Sequence, residues 1–127
     1  MRIEHIALNV AQPAAMAAWY VEHLGFQIVR HVDNATQTHF LADSAGLSVI
    51  EIYCNPPDQV PDYASLDPLV VHIALVSDDP DLDRARLESV GATYASEIRH
   101  PDGTQLTMLR DPWGLALQLC KRVVPLL

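Results

Sequence analysis

Basic residues are scarce in this chain: eight lysines and arginines stand against sixteen aspartates and glutamates, for a formal net charge of -8. A surface of that sign repels phosphate backbones, and no basic stripe interrupts it, so nucleic acid is not expected as a partner. Cysteine is scarcer still. Cys54 and Cys120 are the two present, each inside an apolar, strand-like run, which provides no disulfide framework and reads as a pair of reduced thiols. Long apolar stretches are missing, since no run approaches the roughly 20 residues that span a bilayer. The opening "MRIEHIALNV" has neither the apolar segment nor the cleavage pattern of a secretory signal. We therefore expect a cytoplasmic protein with no membrane partner. Aromatics make up 6% of the residues, so an aromatic-walled cavity would have little to draw on beyond Trp19, Phe40, Tyr53 and Trp113, and Trp19 reads equally well as helix packing.

What is abundant is apolar content: half of the 127 residues are hydrophobic, enough for one domain, residues 1–127, with its own core. The sequence also repeats itself. "HIAL" occurs at His5–Leu8 and again at His72–Leu75, 67 positions later, and Pro13 and Pro80 keep that offset. Gly25 and Gly91 correspond one residue out of step, and "DSAG" from Asp43 corresponds to "DPWG" from Asp111. Repeat 1 covers about 1–55, a proline-rich linker about 56–67, and repeat 2 about 68–122.

Each repeat carries the same pattern of elements. Alternating strands are expected over Ile3–Val10 and Leu69–Ser77. Helices follow from Pro13 to Leu24 and from Pro80 to Val90, with proline in the first turn, Asp79 as an N-cap, and Gly25 and Gly91 as stops. Three strands then complete each copy: Phe26–Val32, Thr36–Ala42 and Leu47–Cys54, and later Thr93–Ile98, Thr104–Leu109 and Leu115–Arg122. "HPDG" and "DPWG" suit type I turns. The expected fold class is α+β: two βαβββ repeats forming a cupped, mostly antiparallel sheet with the helices on its outer face.

Strand alternation sorts the side chains by face. Ile6, Leu8 and Val10 should pack under the first helix, leaving His5, Ala7 and Asn9 on the other side. Ile73 and Leu75 should do the same, opposite His72 and Ala74. Ile50 and Ile52 should pack inward with Val49, Glu51 and Tyr53 opposed, and Leu117 and Leu119 inward with Gln118 and Cys120 opposed. Glu51 and Gln118 are also separated by the 67-residue offset. Under a pseudo-two-fold, His5, Glu51, His72 and Gln118 would converge on one concave surface with small neighbours around them. A single strand histidine is most often a hydrogen-bonded structural residue. Four polar side chains repeated in this way cost several kcal/mol to bury without a partner, and together they suit a borderline divalent cation. His31, His39 and His100 lie outside the repeat and read as surface or turn residues. His23 sits near a helix C-terminus, and Arg99, Arg110, Lys121 and Arg122 read either as anion grips or as solvated strand edges.

The paired βαβββ units, the two "HIAL" strands, "VIEIY" with Glu51 and the "DPWG" turn resemble the vicinal oxygen chelate superfamily. That group includes glyoxalase I, extradiol dioxygenases, fosfomycin-modifying enzymes and bleomycin-binding proteins, and the resemblance covers essentially the whole chain. It is closest to glyoxalase-like members. It implies one divalent metal ion per site (Ni, Co, Zn, Mn or Fe) held by His5, Glu51, His72 and Gln118, with Glu51 as the catalytic base. Asn9, Tyr53, Asn55, Trp113 and Cys120 would then contact a small-molecule substrate, an α-hydroxycarbonyl or thioester handled by chelation and enediolate stabilisation. A symmetric homodimer would cover the remaining sheet edges. Two positions depart from glyoxalase I: Gln118 stands where a carboxylate is usual, and Asn9 where an arginine is. Gln118 is incapable of acting as a base at neutral pH, so proton transfer falls to Glu51, and the missing last carboxylate places a dioxygenase below the other readings. The alternative is a metal-free or weakly metalated binding protein of the antibiotic-sequestering kind.

Overall fold

The repeat in the sequence becomes a repeat in the architecture. In the computed structural model, which describes residues 1–126, the chain divides into two units, Met1–Pro61 and Asp62 onward. Unit 1 contains β1 (Ile6–Asn9), α1 (Pro13–Leu24), β2 (Gln27–His31), β3 (His39–Ala42) and β4 (Val49–Tyr53), followed by a 3-10 turn at Pro57–Gln59. Unit 2 contains β5 (His72–Val76), α2 (Pro80–Glu88), β6 (Thr93–Arg99), β7 (Gln105–Arg110) and β8 (Ala116–Lys121).

Each unit builds one four-stranded mixed sheet, in the orders β1-β4-β3-β2 and β5-β8-β7-β6. The β1–β4 and β5–β8 pairs are parallel and the other pairings antiparallel. The fold is α+β, as the alternation of elements implied. Registers repeat with the sequence: Ala7 faces Glu51, and Ala74 faces Gln118.

In unit 1, Pro13, Met16, Ala17 and Tyr20 are buried along α1 at helical spacing. They belong to a core that also holds Val10, Phe26, Leu41 and Ile52, and Phe26 meets the Tyr20 ring edge-on at 5.6 Å. Gly25, left-handed at φ 73, ends the helix. Trp19 is buried on the helix beside Tyr20 and His23, the packing role.

In unit 2, the Asp79 carboxylate accepts from the Leu82 N–H at 3.0 Å and caps α2. Leu109, Leu115, Leu117 and Leu119 are buried with Leu87 of the helix. Turns fall where proline and glycine placed them: Gly103 donates to the His100 carbonyl and Gly114 to that of Asp111, and Gly46 repeats the bond to Asp43.

The structure corrects several expectations. Six of the eight strands are shorter than the apolar pattern suggested, with β1 beginning at Ile6 and β3 at His39, while β6 runs one residue further, to Arg99. Ile6 is 58% exposed rather than packed, because β1 is the edge of its sheet and α1 lies over β2, β3 and β4. Helix α2 ends at Glu88 with Ser89 as its cap, so Gly91 (φ 107) belongs to the turn beyond it. His39 is not a surface residue. It is 6% exposed, since its register opposite Ile52 puts it on the helix-covered face, where its ring stacks on His31 with centroids 4.4 Å apart.

Candidate functional site

The parallel pairing of β1 with β4 decides what His5 can reach. His5 immediately precedes β1, and Glu51 lies at the middle of β4 opposite Ala7. Ala7 is too small to separate them, and His5 Nε2 stands 3.2 Å from Glu51 Oε2. The other ring nitrogen, Nδ1, hydrogen-bonds the Glu4 carboxylate. Glu4 is the first cause of a His5 pKa raised above its ordinary value, with partial burial opposing it and the charges of Glu4 and Glu51 adding to it. Phe40, opposite Glu51 on β3, presents its ring edge-on to His5 at 5.7 Å. Arg30 holds its guanidinium 5.9 Å from the Phe40 ring centre.

Unit 2 repeats part of this arrangement. His72 opens β5, and Gln118 occupies the middle of β8 opposite Ala74. His72 Nδ1 lies 3.0 Å from the Pro68 carbonyl oxygen. An acceptor-only oxygen at Nδ1 places the N–H there and leaves Nε2 with its lone pair. Both histidines therefore engage Nδ1 with an oxygen from just upstream in the chain, the arrangement that orients metal-binding imidazoles; Nε2 of His5 faces Glu51 Oε2, and Nε2 of His72 keeps its lone pair for a ligand. The Gln118 Oε1 accepts from the Cys120 thiol at 3.3 Å; a thiol is a weak donor, so the amide oxygen keeps ligating capacity.

Two donors bound to one ion at about 2.1 Å stand about 3 to 3.4 Å apart at ordinary ligand angles, and the His5–Glu51 separation of 3.2 Å falls in that range. The donor types and this spacing fit a divalent ion. Among the described residues, no three His, Cys, Asp or Glu side chains cluster as a ready-made metal group. Unit 1 brings imidazole and carboxylate together, and in unit 2 His72 and Gln118 occupy the equivalent strand positions.

The remaining candidates fall in different surroundings. Asn9 is committed at both ends of its amide: Nδ2 donates to the Pro56 carbonyl at 2.9 Å, and Oδ1 accepts from the Asn55 N–H at 2.8 Å. It secures the chain leaving β4, and Asn55 is held by it. Tyr53 is half-buried opposite Asn9. Trp113 lies in the turn between β7 and β8, its N–H donating to Asp111 at 2.9 Å. Cys120 is buried, and burial pushes its thiol up against the pull of Arg122, so it is a poor nucleophile. Cys54 and Cys120 are both unpaired.

Sequence reasoning misses the oxygens behind the histidines. Glu4 is adjacent and readable as a carboxylate, but the Pro68 carbonyl is backbone and leaves no trace in residue identity. Arg110 is neither an anion grip nor a solvated edge: it donates to the carbonyls of Tyr63, Gly114 and Leu66 at 2.7, 2.9 and 2.6 Å and clamps the segment before β5. Arg99 is taken by Asp81 and Glu97, which removes both arginines as anion grips.

Comparison with known proteins agrees with the architecture. Residues 2–119 match the family model described as the glyoxalase/bleomycin resistance protein/dioxygenase superfamily. A glyoxalase family protein from Enterococcus faecalis is similar at 27% identity and TM-score 0.69, over 94% of this chain and 97% of its own. TnmS3, an antibiotic-binding protein from Streptomyces, shares 23% identity at TM-score 0.69, over 94% of this chain and 97% of that one. The fosfomycin resistance protein FosX from Listeria monocytogenes shares 18% identity at TM-score 0.73, with coverage of 98% and 95%. The last two likenesses concern the fold alone. No curated protein matches the chain.

Proposed function

Because the chain belongs to the glyoxalase/bleomycin resistance protein/dioxygenase superfamily, we propose that it is a divalent-metal-dependent lyase or isomerase acting on a small α-hydroxycarbonyl or acyl-thioester. The observation that carries this reading is the His5 Nε2–Glu51 Oε2 pair at 3.2 Å, whose strand positions recur as His72 and Gln118. Those four residues would hold the ion, and Ni, Co, Zn, Mn and Fe all suit such donors. When bound, the ion supplies Lewis-acid polarisation of two neighbouring substrate oxygens.

The chain's own residues supply the rest. Glu51 takes a proton from the carbon beside the substrate carbonyl and returns it to the neighbouring carbon of an α-hydroxycarbonyl, or to the same carbon of an acyl-thioester, as a positioned carboxylate does in general acid–base catalysis. Gln118, which has no proton to exchange, serves as a neutral ligand, leaving the ion more electrophilic than a second carboxylate would. Phe40, the register partner of Glu51, supplies an apolar ring beside the carboxylate. With Asn9 occupied by the loop after β4, no cation stands at that position to receive a glutathione carboxylate, so the glutathione hemithioacetal is a poor substrate. Edge strands β1 and β5 are covered in a symmetric homodimer.

Turnover of α-hydroxycarbonyl and acyl-thioester substrates by Glu51→Gln and Gln118→Glu tests the mechanism. Glu51→Gln should abolish activity while retaining much of the metal, and Gln118→Glu should raise activity on the hemithioacetal. A fully active Glu51→Gln variant would place the base elsewhere.

A second reading, ligand binding without turnover, is favoured by a cavity of about 320 Å³ in unit 2 beside Cys120, within the size range of small-molecule sites. A tightly bound ligand recovered unchanged from every variant would support it.

A further inference from the structure

Unit 2 holds a cavity of about 320 Å³ where β5 and β8 end, lined by Ala74, Leu75, Val76, Cys120, Arg122 and Leu126. Its walls are aliphatic, and two of them face solvent: Val76 is 92% exposed and Leu126 is 78% exposed. That is apolar surface the protein leaves uncovered at a concavity, the usual mark of a binding position. The volume is on the order of ten water molecules' share of liquid, which corresponds to an organic molecule of about ten non-hydrogen atoms.

Among the described lining residues one is charged, Arg122. Five of the other basic side chains are engaged within the protein. Arg84 pairs with Glu88, Arg86 with Asp83, and Arg99 with Asp81 and Glu97. Arg110 is spent on three carbonyls, and Arg30 lies over Phe40. Arg122 has no carboxylate partner among the described residues, in a chain with twice as many acids as bases. Among the described residues no carboxylate lines the cavity, and the Cys120 thiol, which donates to Gln118, also lies under the influence of the Arg122 guanidinium. Aliphatic walls with one unopposed guanidinium are complementary to an apolar body bearing a single carboxylate, which a guanidinium grips through two parallel hydrogen bonds. A phosphate dianion would need further donors that the aliphatic walls do not provide.

We infer that this cavity is the binding subsite for a small apolar monocarboxylate, with Arg122 taking the carboxylate and Ala74, Val76 and Leu126 the apolar body. Ala74 is also the register partner of Gln118, so the far end of such a ligand lies beside a candidate metal ligand. The inference names the ligand class of the small-molecule reading above and rests on it, but it does not depend on the metal.

Calorimetric titration of the full chain with 3-phenylpropanoate, 3-phenylpropanol and inorganic phosphate tests it. The acid should bind one to one and about tenfold or more tighter than the alcohol, the worth of a hydrogen bond to a charged group, with phosphate weaker than both. Arg122→Gln should bring the acid to the level of the alcohol while leaving alcohol binding unchanged, which also shows that the variant folds. Chelator-treated protein and His72→Ala should bind the acid as the untreated chain does. An untreated chain that holds no metal yet binds the acid would therefore count against the proposed metal chemistry alone, and a metal-bearing chain that does not bind the acid against this subsite alone. Equal binding of acid and alcohol, or unchanged acid binding by Arg122→Gln, overturns the inference. So does a failure to bind acid together with a lowered molecular mass of Val76→Asp, which would show a second copy of the chain filling the cavity.

Discussion

Arg110 shows how one side chain controls a backbone segment far from it in sequence. Its guanidinium donates to the carbonyls of Tyr63, Leu66 and Gly114, and two residues past Leu66 the Pro68 carbonyl meets His72. Arg110→Met keeps most of the aliphatic stem and removes all three bonds. Since hydrogen bonds from a charged donor contribute about 1.5–3 kcal/mol each and water replaces part of them, the expected loss is about 2–4 kcal/mol in a urea titration. Amide exchange at Ala64–Leu66 should rise with it; unchanged protection there would show that the clamp is dispensable. The histidines were legible as candidates because the repeat placed them at equivalent points. Their orientation was not, because the oxygens at Nδ1 depend on how the chain turns before each strand. The polar identity of Asn9 suggests a ligand contact, whereas the fold uses both ends of its amide to hold Asn55 and Pro56.

The turns of the two repeats look alike in sequence and differ in consequence. Gly46 in "DSAG" has φ +70, and a Cβ added there would meet nothing within 4 Å. At Gly114 in "DPWG", with φ +87, a Cβ would stand 2.6 Å from the Ala64 nitrogen and 2.8 Å from its Cα. Gly46→Ala should therefore cost only the left-handed conformation, about 1 kcal/mol. Gly114→Ala adds a backbone collision and should cost roughly 2 kcal/mol or more. Thermal melts of the two variants compare them directly, and equal shifts would remove the role given to the Ala64 contact. Asp79→Ala should cost about 1 kcal/mol through the lost cap of α2. Element order, both helix starts and the "HPDG" and "DPWG" turns were legible because proline, glycine and aspartate constrain the backbone locally. The exposed start of β1 and the buried His39 were not, because each depends on which strands the helix covers, a tertiary property.

On the scale of the whole molecule, acid stability and metal content test separate features of the account. Asp81 and Glu97 are both held below their ordinary values of 3.8 and 4.5, first by hydrogen bonds from Arg99. A carboxylate held low in the folded state stabilises it above the unfolded value and loses that contribution as pH falls through the folded one. Acid unfolding of the wild type should therefore begin below about pH 4.5, and Arg99→Met should unfold at a higher pH. Coincident acid transitions would show that the exposed network contributes nothing. Light scattering should show a homodimer at micromolar concentration, and a monomer would leave the β1 and β5 edges without their proposed cover. The central claim is that His5, Glu51, His72 and Gln118 form one ligand set, and metal analysis of protein purified without a histidine tag tests it most directly. About one divalent ion per site is predicted for the wild type and for His100→Ala, with loss of the ion in His5→Ala and in His72→Ala; equal metal content in all four proteins would contradict it.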